Sequence, residues 1–354
     1  MRATSAGTVA AVGVCGIMAI ITVAGPLSPS GGPVASTYKT LTEVEPRIAL
    51  SDANTPGDAN SVFRITQPGS YYLTANLTGA SGKRGIEIAA SNVTVDLGGF
   101  KLSGPVDALE AIASEGTVGA VTVQRGTITG WSQGGVVLAA GEACVVRDLL
   151  LHNLSGPFSV RVGNSGLLER VRVTASSGGG GATTTALRMG TLGTIRNCEV
   201  NLNTLCTGIW VDAGSSVTEC TVNTVLSGGI AAPSGNTTIT NCTVINPDGF
   251  GISVGGHSVV RNNHVTYVFE GPGIQVNGPR TRVEGNHVAL CQTGYLVGGS
   301  GVLLMRNTAT GNATNYTLSA GNFGQFITPV VIPGINGSSG GVALGGDANA
   351  NFSY

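Results

Sequence analysis

The feature that most constrains the fold of this chain is a short unit that repeats through its second half. Each unit opens on a Gly-Ile or Gly-Tyr pair, and a Cys or Asn follows 12 or 13 residues later. Successive openings are 21 or 22 residues apart, with no gap between units. A period in this range is the sequence signature of a solenoid. The openings are Gly208-Ile209, Gly229-Ile230, Gly251-Ile252, Gly273-Ile274 and Gly294-Tyr295.

Apolar residues alternate with polar ones within a unit, as Ile209 and Val211, and then Cys220 and Val222, illustrate. A period of two indicates β-strand, and no unit carries an apolar stripe of helical period. Short strands joined by turn residues predict an all-β fold, a parallel β-helix. Its coils stack ~4.8 Å apart, so roughly ten coils make a rod on the order of 50 Å long.

Composition agrees with this fold and excludes several classes of function. Gly accounts for 56 of 354 residues, charged residues for 10% and hydrophobic residues for 42%. The chain is too hydrophobic for disorder, and the glycines lack the three-residue period of collagen. A formal net charge of -1 gives no basic surface for nucleic acid and none for anionic lipid.

The N-terminus predicts export. Arg2 precedes an uncharged, apolar stretch from Ala6 to Ala24, and small residues with helix breakers follow. This pattern is typical of a signal peptide, here residues 1–36, cleaved near Thr37. The alternative is an uncleaved membrane anchor, because the apolar stretch nearly reaches spanning length. After cleavage we expect no membrane span and a location outside the cell, at its surface or in the periplasm.

One stretch carries a family resemblance: "GSYYLTANLTG…GIEIAASNVTVDLGGFKLSG" (Gly69 to Gly104), followed by units of the form GIxV…VxxCxV. It resembles secreted bacterial right-handed parallel β-helix proteins of the pectin-lyase-like superfamily, over about Val62 to Phe326. The resemblance implies right-handed coiling and an N-terminal cap, and that superfamily mixes lyases, hydrolases, epimerases and adhesins. We therefore expect a cap at 37–84, the β-helix at 85–327 and a Gly-rich tail at 328–354.

One position of the repeat predicts a ladder of stacked side chains. Asn residues there can hydrogen-bond to each other and to turn backbone, and Cys fills the same site as a small hydrophobe. We favour buried free thiols over one disulfide or a metal site, because parallel Cβ vectors suit a disulfide poorly and no His joins the thiols. The ladder residues are Cys198, Cys220, Cys242, Asn263, Asn286 and Asn307.

A candidate binding site lies on the outward positions of the Gly-Ile-x-Val strand. Position x holds Arg161, Arg188 and Trp210 in consecutive coils, and Asp212 lies two residues beyond Trp210. Guanidinium groups bind carboxylate or sulfate, and an indole stacks on a sugar ring, so an acidic polysaccharide is the candidate partner. The alternative is a solvated stripe with a cation–π pair. An insertion, Ser176 to Thr185, is placed to form a wall beside this site.

No complete catalytic set is evident, and no cofactor or metal is predicted. The resemblance to polygalacturonases would require paired Asp, Gly-His-Gly and Arg-x-Lys, whereas this chain has Gly256-His257-Ser258. Glu199 and Glu219 form a nearby outward pair, but an ion pair of Glu199 with Arg172 is favoured over catalysis. His264 and His287 share one position in adjacent coils and lack an evident third metal ligand.

Two functions remain open from the sequence. The first is a non-catalytic surface or polysaccharide-binding rod. The second is a carbohydrate-active enzyme on the outer face of one sheet, either an anionic-polysaccharide lyase or a glycoside hydrolase. A lyase needs no carboxylate pair, because an Arg such as Arg161 or Arg188 can serve as its base.

Overall fold

A computed structural model describes residues 46–177, 184–203, 207–324, 326–327, 336–339 and 348–353. All of them belong to one unit, Pro46–Tyr354. The predicted signal segment, 1–36, lies outside the described residues. Regular structure in the described part is entirely β-strand. That part of the chain holds no helix of the length and apolar character needed to span a bilayer.

The strands are short, and nearly all have between two and nine residues. In chain order they are β1 (Ile48–Ala49), β2 (Ser61–Ile65), β3 (Gly69–Tyr72), β4 (Leu77–Thr78), β5 (Arg84–Ile88), β6 (Val93–Asp96), β7 (Lys101–Ser103), β8 (Glu110–Ser114), β9 (Thr122–Thr129), β10 (Gly134–Glu142), β11 (Val145–His152), β12 (Phe158–Asn164), β13 (Leu167–Thr174), β14 (Thr185–Met189), β15 (Thr194–Arg196), β16 (Glu199–Asn203), β17 (Thr207–Val211), β18 (Ser216–Thr218), β19 (Thr221–Val225), β20 (Gly228–Ala232), β21 (Thr238–Thr240), β22 (Thr243–Pro247), β23 (Phe250–Val254), β24 (Val259–Arg261), β25 (His264–Thr266), β26 (Pro272–Val276), β27 (Arg282–Glu284), β28 (His287–Ala289), β29 (Thr293–Val297), β30 (Leu303–Met305), β31 (Thr308–Thr310), β32 (Thr314–Asn322), β33 (Phe326–Ile327), β34 (Asn336–Ser339) and β35 (Asn351–Ser353).

The strands pair in parallel and form two sheets, as a parallel β-helix requires. Sheet 1 has 13 strands in the described residues, one from each coil, and runs from β2 to β34. Sheet 2 has 22 strands and takes two from most coils, such as β18 and β19. The predicted fold class is therefore confirmed. The coil number was too low: about 12 turns are present rather than roughly ten, because coils before residue 134 lack the regular Gly-Ile spacing.

The core is a set of continuous aliphatic stacks along the axis. Ile209, Ile230, Ile252 and Ile274 are register partners in successive strands of sheet 1, and all four are fully buried. Valines of sheet 2, such as Val222, face them from the other side of the coil. Burial of this apolar surface is the main stabilising contribution to each coil.

The Gly of the Gly-Ile opening is required by packing at the corner where sheet 1 begins. A Cβ atom on Gly229 would lie 2.4 Å from Val244 Cγ1 and 2.4 Å from the carbonyl oxygen of Gly251. The same conflict recurs one coil on, where a Cβ on Gly251 would lie 2.3 Å from Val265 Cγ1. In these coils the opening Gly thus marks a point where two sheets approach too closely for a Cβ atom, whereas Ala186 and Asn315 hold the equivalent position in other coils.

The ladder position forms a continuous line of hydrogen bonds inside the solenoid. Asn263 and Asn286 each use Oδ1 to accept from the backbone N–H of the preceding rung, at 2.9 Å. The Nδ2 of Asn286 donates to Asn307 Oδ1 and to the carbonyl of Val260, both at 2.9 Å. Every side-chain polar atom of Asn286 therefore has a partner, although the residue is buried.

The cysteines of the ladder are buried free thiols. The Sγ–H groups of Cys198, Cys220 and Cys242 each donate to the carbonyl two residues earlier, at 3.3 Å. Hydrogen bonding to the Cys220 thiol, in which Cys242 is the donor, and then burial raise the pKa of Cys242 well above its usual value. Cys242 is therefore inert, because the thiolate is the reactive form.

The two ends of the solenoid differ in detail from the sequence prediction. Parallel pairing begins inside the predicted cap. There β1 pairs with β3, so Ile48 is one strand further toward the N-terminal end than Tyr71, which itself pairs with Val95. At the other end Asn351 adds a further ladder rung, accepting from the backbone N–H of Asn307 at 3.0 Å. Phe352 pairs with Thr308 of β31 through its backbone, and its side chain is exposed; Tyr354 lies outside the described residues.

Candidate functional site

The outward positions of sheet 1 form one continuous row, which we call the outer row. The parallel register places each member directly above the previous one, ~4.8 Å apart. The x positions of the repeat belong to this row, as predicted, and three further members precede them. The outer row is Arg64, Glu87, Ala113, Val137, Arg161, Arg188, Trp210, Ala231, Ser253, Gln275, Leu296 and Thr317.

The structure brings Arg188, Trp210 and Asp212 into direct contact. The Arg188 guanidinium lies over the indole of Trp210, with Cζ 4.9 Å from the ring centroid. The Nη2 group of Arg188 donates to both carboxylate oxygens of Asp212, at 3.2 Å each. Trp210 Nε1–H also points at Asp212, 3.4 Å from Oδ1. The carboxylate therefore orients the cation and the ring together.

Arg161 completes the group, one coil before Arg188. Its guanidinium lies over the ring of Phe158, with Cζ 4.9 Å from the centroid. Among the described residues no carboxylate forms an ion pair with Arg161. Two guanidinium groups from adjacent coils with one carboxylate leave a net positive charge on this surface. We call Arg161, Arg188, Trp210 and Asp212 the Arg–Trp patch.

The insertion beside the patch is described only at its ends. Ser177 donates its backbone N–H to the carbonyl of Leu154 at 2.7 Å, and Thr207 donates to that of Thr184 at 3.0 Å. These bonds fix the points where the insertion leaves and rejoins the coil. Residues 178–183, which were expected to form the wall, lie outside the described residues.

The other candidates from the sequence are surface contacts on sheet 2. Glu199 pairs with Arg172 of the preceding coil, at 3.2 Å between Oε2 and Nε. Glu219 lies in an exposed turn. His264 and His287 are register partners with rings stacked 5.1 Å apart. Burial, followed by the charge of His264, lowers the pKa of His287.

A charged cluster at the N-terminal end of the outer row was missed from the sequence. Arg84 Nε donates to Glu110 Oε2 at 3.0 Å, and Arg84 Nη1 lies 3.5 Å from Glu87 Oε1. Glu87 is buried, and its Oε2 atom has no hydrogen-bond partner. Arg64, its row neighbour, pairs with Glu115. These residues come from three coils, so only the register brings them together.

The chemistry available on this face is anion binding at the Arg–Trp patch and carboxylate chemistry at the charged cluster near the N-terminal end. Both Glu87 and Glu110 contact one guanidinium, so their carboxylates lie within roughly 9 Å, the range used by glycoside hydrolases. Among the described residues no group of three His, Cys, Asp or Glu side chains is arranged to hold a metal ion.

The family is decided by a match over most of the solenoid. The family model described as "Right handed beta helix region" matches residues 110–265 and 228–339. This chain belongs to the right-handed β-helix family. The resemblance seen in the sequence had implied the same architecture. No curated protein matches the sequence.

Solved structures share the architecture at low sequence identity. A tailspike protein of E. coli bacteriophage HK620 is 11% identical in sequence. The match covers 81% of this chain and 60% of the tailspike chain, and its TM-score is 0.53. The Dettilon tailspike protein is 14% identical, with coverages of 81% and 61% and a TM-score of 0.46. A DFA-IIIase from Arthrobacter chlorophenolicus A6 is 11% identical, with coverages of 76% and 84% and a TM-score of 0.49. The chain spans about three fifths of either tailspike chain, and these likenesses show the fold alone.

Proposed function

We propose that this β-helix binds an acidic polysaccharide through the Arg–Trp patch. The observation that carries the proposal is the joint geometry of Arg188, Trp210 and Asp212. The indole of Trp210 is half-buried and held in place by contacts on two sides. Binding to its free edge and face therefore costs little side-chain entropy. A surface glycan fits an exported rod, and export itself stays a prediction from residues 1–36.

Charge explains why the ligand should be anionic. Arg161 is a guanidinium without a carboxylate partner in the described residues, and it is the register partner of Arg188. A uronate carboxylate or a sulfate would supply the missing partner and bind bidentately. A sugar ring on Trp210 would then lie about one or two coils from the bound anion, a distance of ~5 to 10 Å.

Tryptophan fluorescence tests the proposal, because the chain has two Trp residues and Trp131 is fully buried. We expect oligouronates or sulfated oligosaccharides to change the emission of Trp210 and to protect it from an aqueous quencher. Arg161→Ala should weaken binding at least tenfold, the scale of one lost charge-assisted contact.

Arg172→Ala is the matched control, since it removes an exposed Arg from sheet 2, which holds its own ion pair with Glu199. It should leave binding unchanged. Equal losses in both variants would indicate non-specific charge attraction, and an unchanged Arg161→Ala variant would remove the proposed site. Raising the salt concentration should weaken binding, because the contact is ionic.

A second candidate function is glycoside hydrolysis at Glu87 and Glu110, favoured by the shared guanidinium of Arg84. The Oε2 atom of Glu87 is buried and has no hydrogen-bond partner, and a glycoside hydrolase needs a pair of carboxyl groups at such a separation. Release of reducing ends from a polysaccharide panel measures this activity. Glu87→Gln should abolish it while Glu199→Gln, on sheet 2, should not. Ultraviolet absorbance on the uronate samples detects the lyase alternative at Arg161 or Arg188 in the same experiment.

A further inference from the structure

The turns that lead from sheet 2 back into sheet 1, here called the return turns, form a groove of about 730 Å³ beside four successive coils. Tyr267, Phe269 and Leu290 are 55%, 77% and 47% exposed there. A volume of this size is typical of small-molecule sites, and a few polar groups among apolar walls are typical of their lining. The lining includes Asn246, Asp248, Tyr267, Phe269, Leu290 and Gln292.

Two of these side chains occupy a backbone position that ordinarily takes a smaller residue. Equivalent residues of the return turns adopt the left-handed conformation in successive coils, with φ of 53° at Asn246, 57° at Tyr267, 57° at Leu290 and 63° at Gly311. Asn and Gly suit this conformation, whereas bulky residues do not. The core gains nothing from Tyr267 or Leu290, because both point to solvent. An unfavoured residue without a packing role points to function.

We propose that this groove binds an uncharged pyranose. The ring of Tyr267 and the more exposed ring of Phe269 offer apolar surface to the C–H face of a sugar. Asp248, Asn246 and Gln292 supply acceptors and donors for its hydroxyl groups, which would otherwise lose their hydrogen bonds to water. Asp248 is the charged residue of the lining, so the groove disfavours an anionic sugar.

The exposed area is too small for a stable protein partner. Three partly exposed side chains of this kind offer at most ~400 Å², about half of what each partner buries in a standard interface. The site is also separate from the Arg–Trp patch. Trp210 and Ser253 are two coils apart in the outer row, ~10 Å along the axis, and the groove begins beside the later coil. It does not depend on the proposed function of the patch.

The test uses the full chain and neutral cello-, manno- and galacto-hexaoses, with saturation-transfer NMR and calorimetry as readouts. We expect one of them to bind and to receive saturation from aromatic protons. Tyr267→Asn with Phe269→Ala should weaken that binding at least tenfold. Tyr267→Asn alone should keep or raise the melting temperature, because Asn246 shows that Asn fits this turn. The double variant should also melt normally, because Phe269 is 77% exposed, and its melting temperature separates loss of binding from unfolding.

Leu192→Asn is the matched control, since Leu192 is also exposed with a φ of 57° but lies in another turn. It should leave sugar binding unchanged, as should Arg161→Ala. No binding of any neutral hexaose at about 10 mM, beyond the millimolar range of weak sites, would overturn the proposal. So would binding that survives in the double variant, or a double variant whose only change is loss of self-association in sedimentation.

Discussion

Replacing Asn286 by Ala should be among the most damaging single changes in the middle coils. The Asn286 side chain makes four hydrogen bonds: it donates to Asn307 Oδ1 and the Val260 carbonyl, and it accepts from the backbone N–H and Nδ2 of Asn263. The variant leaves the Asn263 N–H and the Val260 carbonyl without these partners in a dry interior. Each such loss costs about 1–3 kcal/mol, so we expect a local destabilisation of about 4 kcal/mol.

Cys242→Ala is the comparison, because it occupies the same ladder position two coils earlier. That variant removes a weak S–H donor, bonded at 3.3 Å to the carbonyl of Thr240, and keeps the backbone bond from residue 242 to Asn263 Oδ1. A small buried group of this kind is worth about 1 kcal/mol. The two predictions therefore differ severalfold, although both substitutions end in Ala at one site.

Hydrogen exchange under native conditions measures the difference coil by coil, with urea unfolding in reductant as the global check. Each coil touches only its neighbours, so opening should increase at residues 260–266 in the Asn286 variant and spread little further. Equal effects of the two variants would show that the ladder stabilises by packing rather than by hydrogen bonding. A uniform loss of protection along the whole chain would contradict the local character of coil contacts.

The remaining predictions concern burial and pH. Ile230→Asp buries an unpaired carboxylate in a fully buried stack and should lower the free energy of unfolding by several kcal/mol. Ser253→Asp, on the outer row, should change it by less than about 0.5 kcal/mol. If thermal melting shows Ser253→Asp to be the more damaging variant, the inward–outward register is wrong. The lowered pKa of His287 means that the unfolded chain binds its proton first. Stability should therefore fall as pH drops below about 6.5. In His287→Thr the urea midpoint should depend less on pH between pH 5 and 8 than it does in the wild type.

Much of the fold could be predicted because inward positions obey one rule in every coil. Ile230 had to face the core once Ile209 and Ile252 were aligned with it, and parallel pairing then fixed the outer row. The ends were harder. Asn351 joins the ladder beside Asn307 after 44 residues, and no constant period leads from one to the other. The first coils carry "SVFRI" without a Gly opening, so they were assigned to a cap.

Much less of the candidate surface could be predicted. Arg161, Arg188 and Trp210 were found because they share one repeat position, but the ion pair of Arg188 with Asp212 depends on side-chain geometry that spacing alone does not give. The Glu87 cluster was missed because its members lie 23 to 28 residues apart, counting from Glu87 to Glu110 and to Glu115. Only knowledge of the register turns such separations into contacts.

The same argument indicates where binding sites should be sought in a solenoid of this kind. Inward positions are held to aliphatic residues, Asn, Cys or the stacked pair Tyr295 and Tyr316 by packing and hydrogen bonding, so variation there has little freedom to create a site. Outward and turn positions carry no such constraint, and an unusual residue there needs a reason other than the core. Trp210, the aromatic residue of the outer row, and Tyr267, at a turn position held by Asn246 and Gly311 in other coils, are departures of this kind. Both are rigid aromatic groups on a stiff stack of strands, which keeps them positioned without loss of flexibility on binding. The regular coils therefore act as the scaffold, and the exceptions to their pattern mark the surfaces that bind.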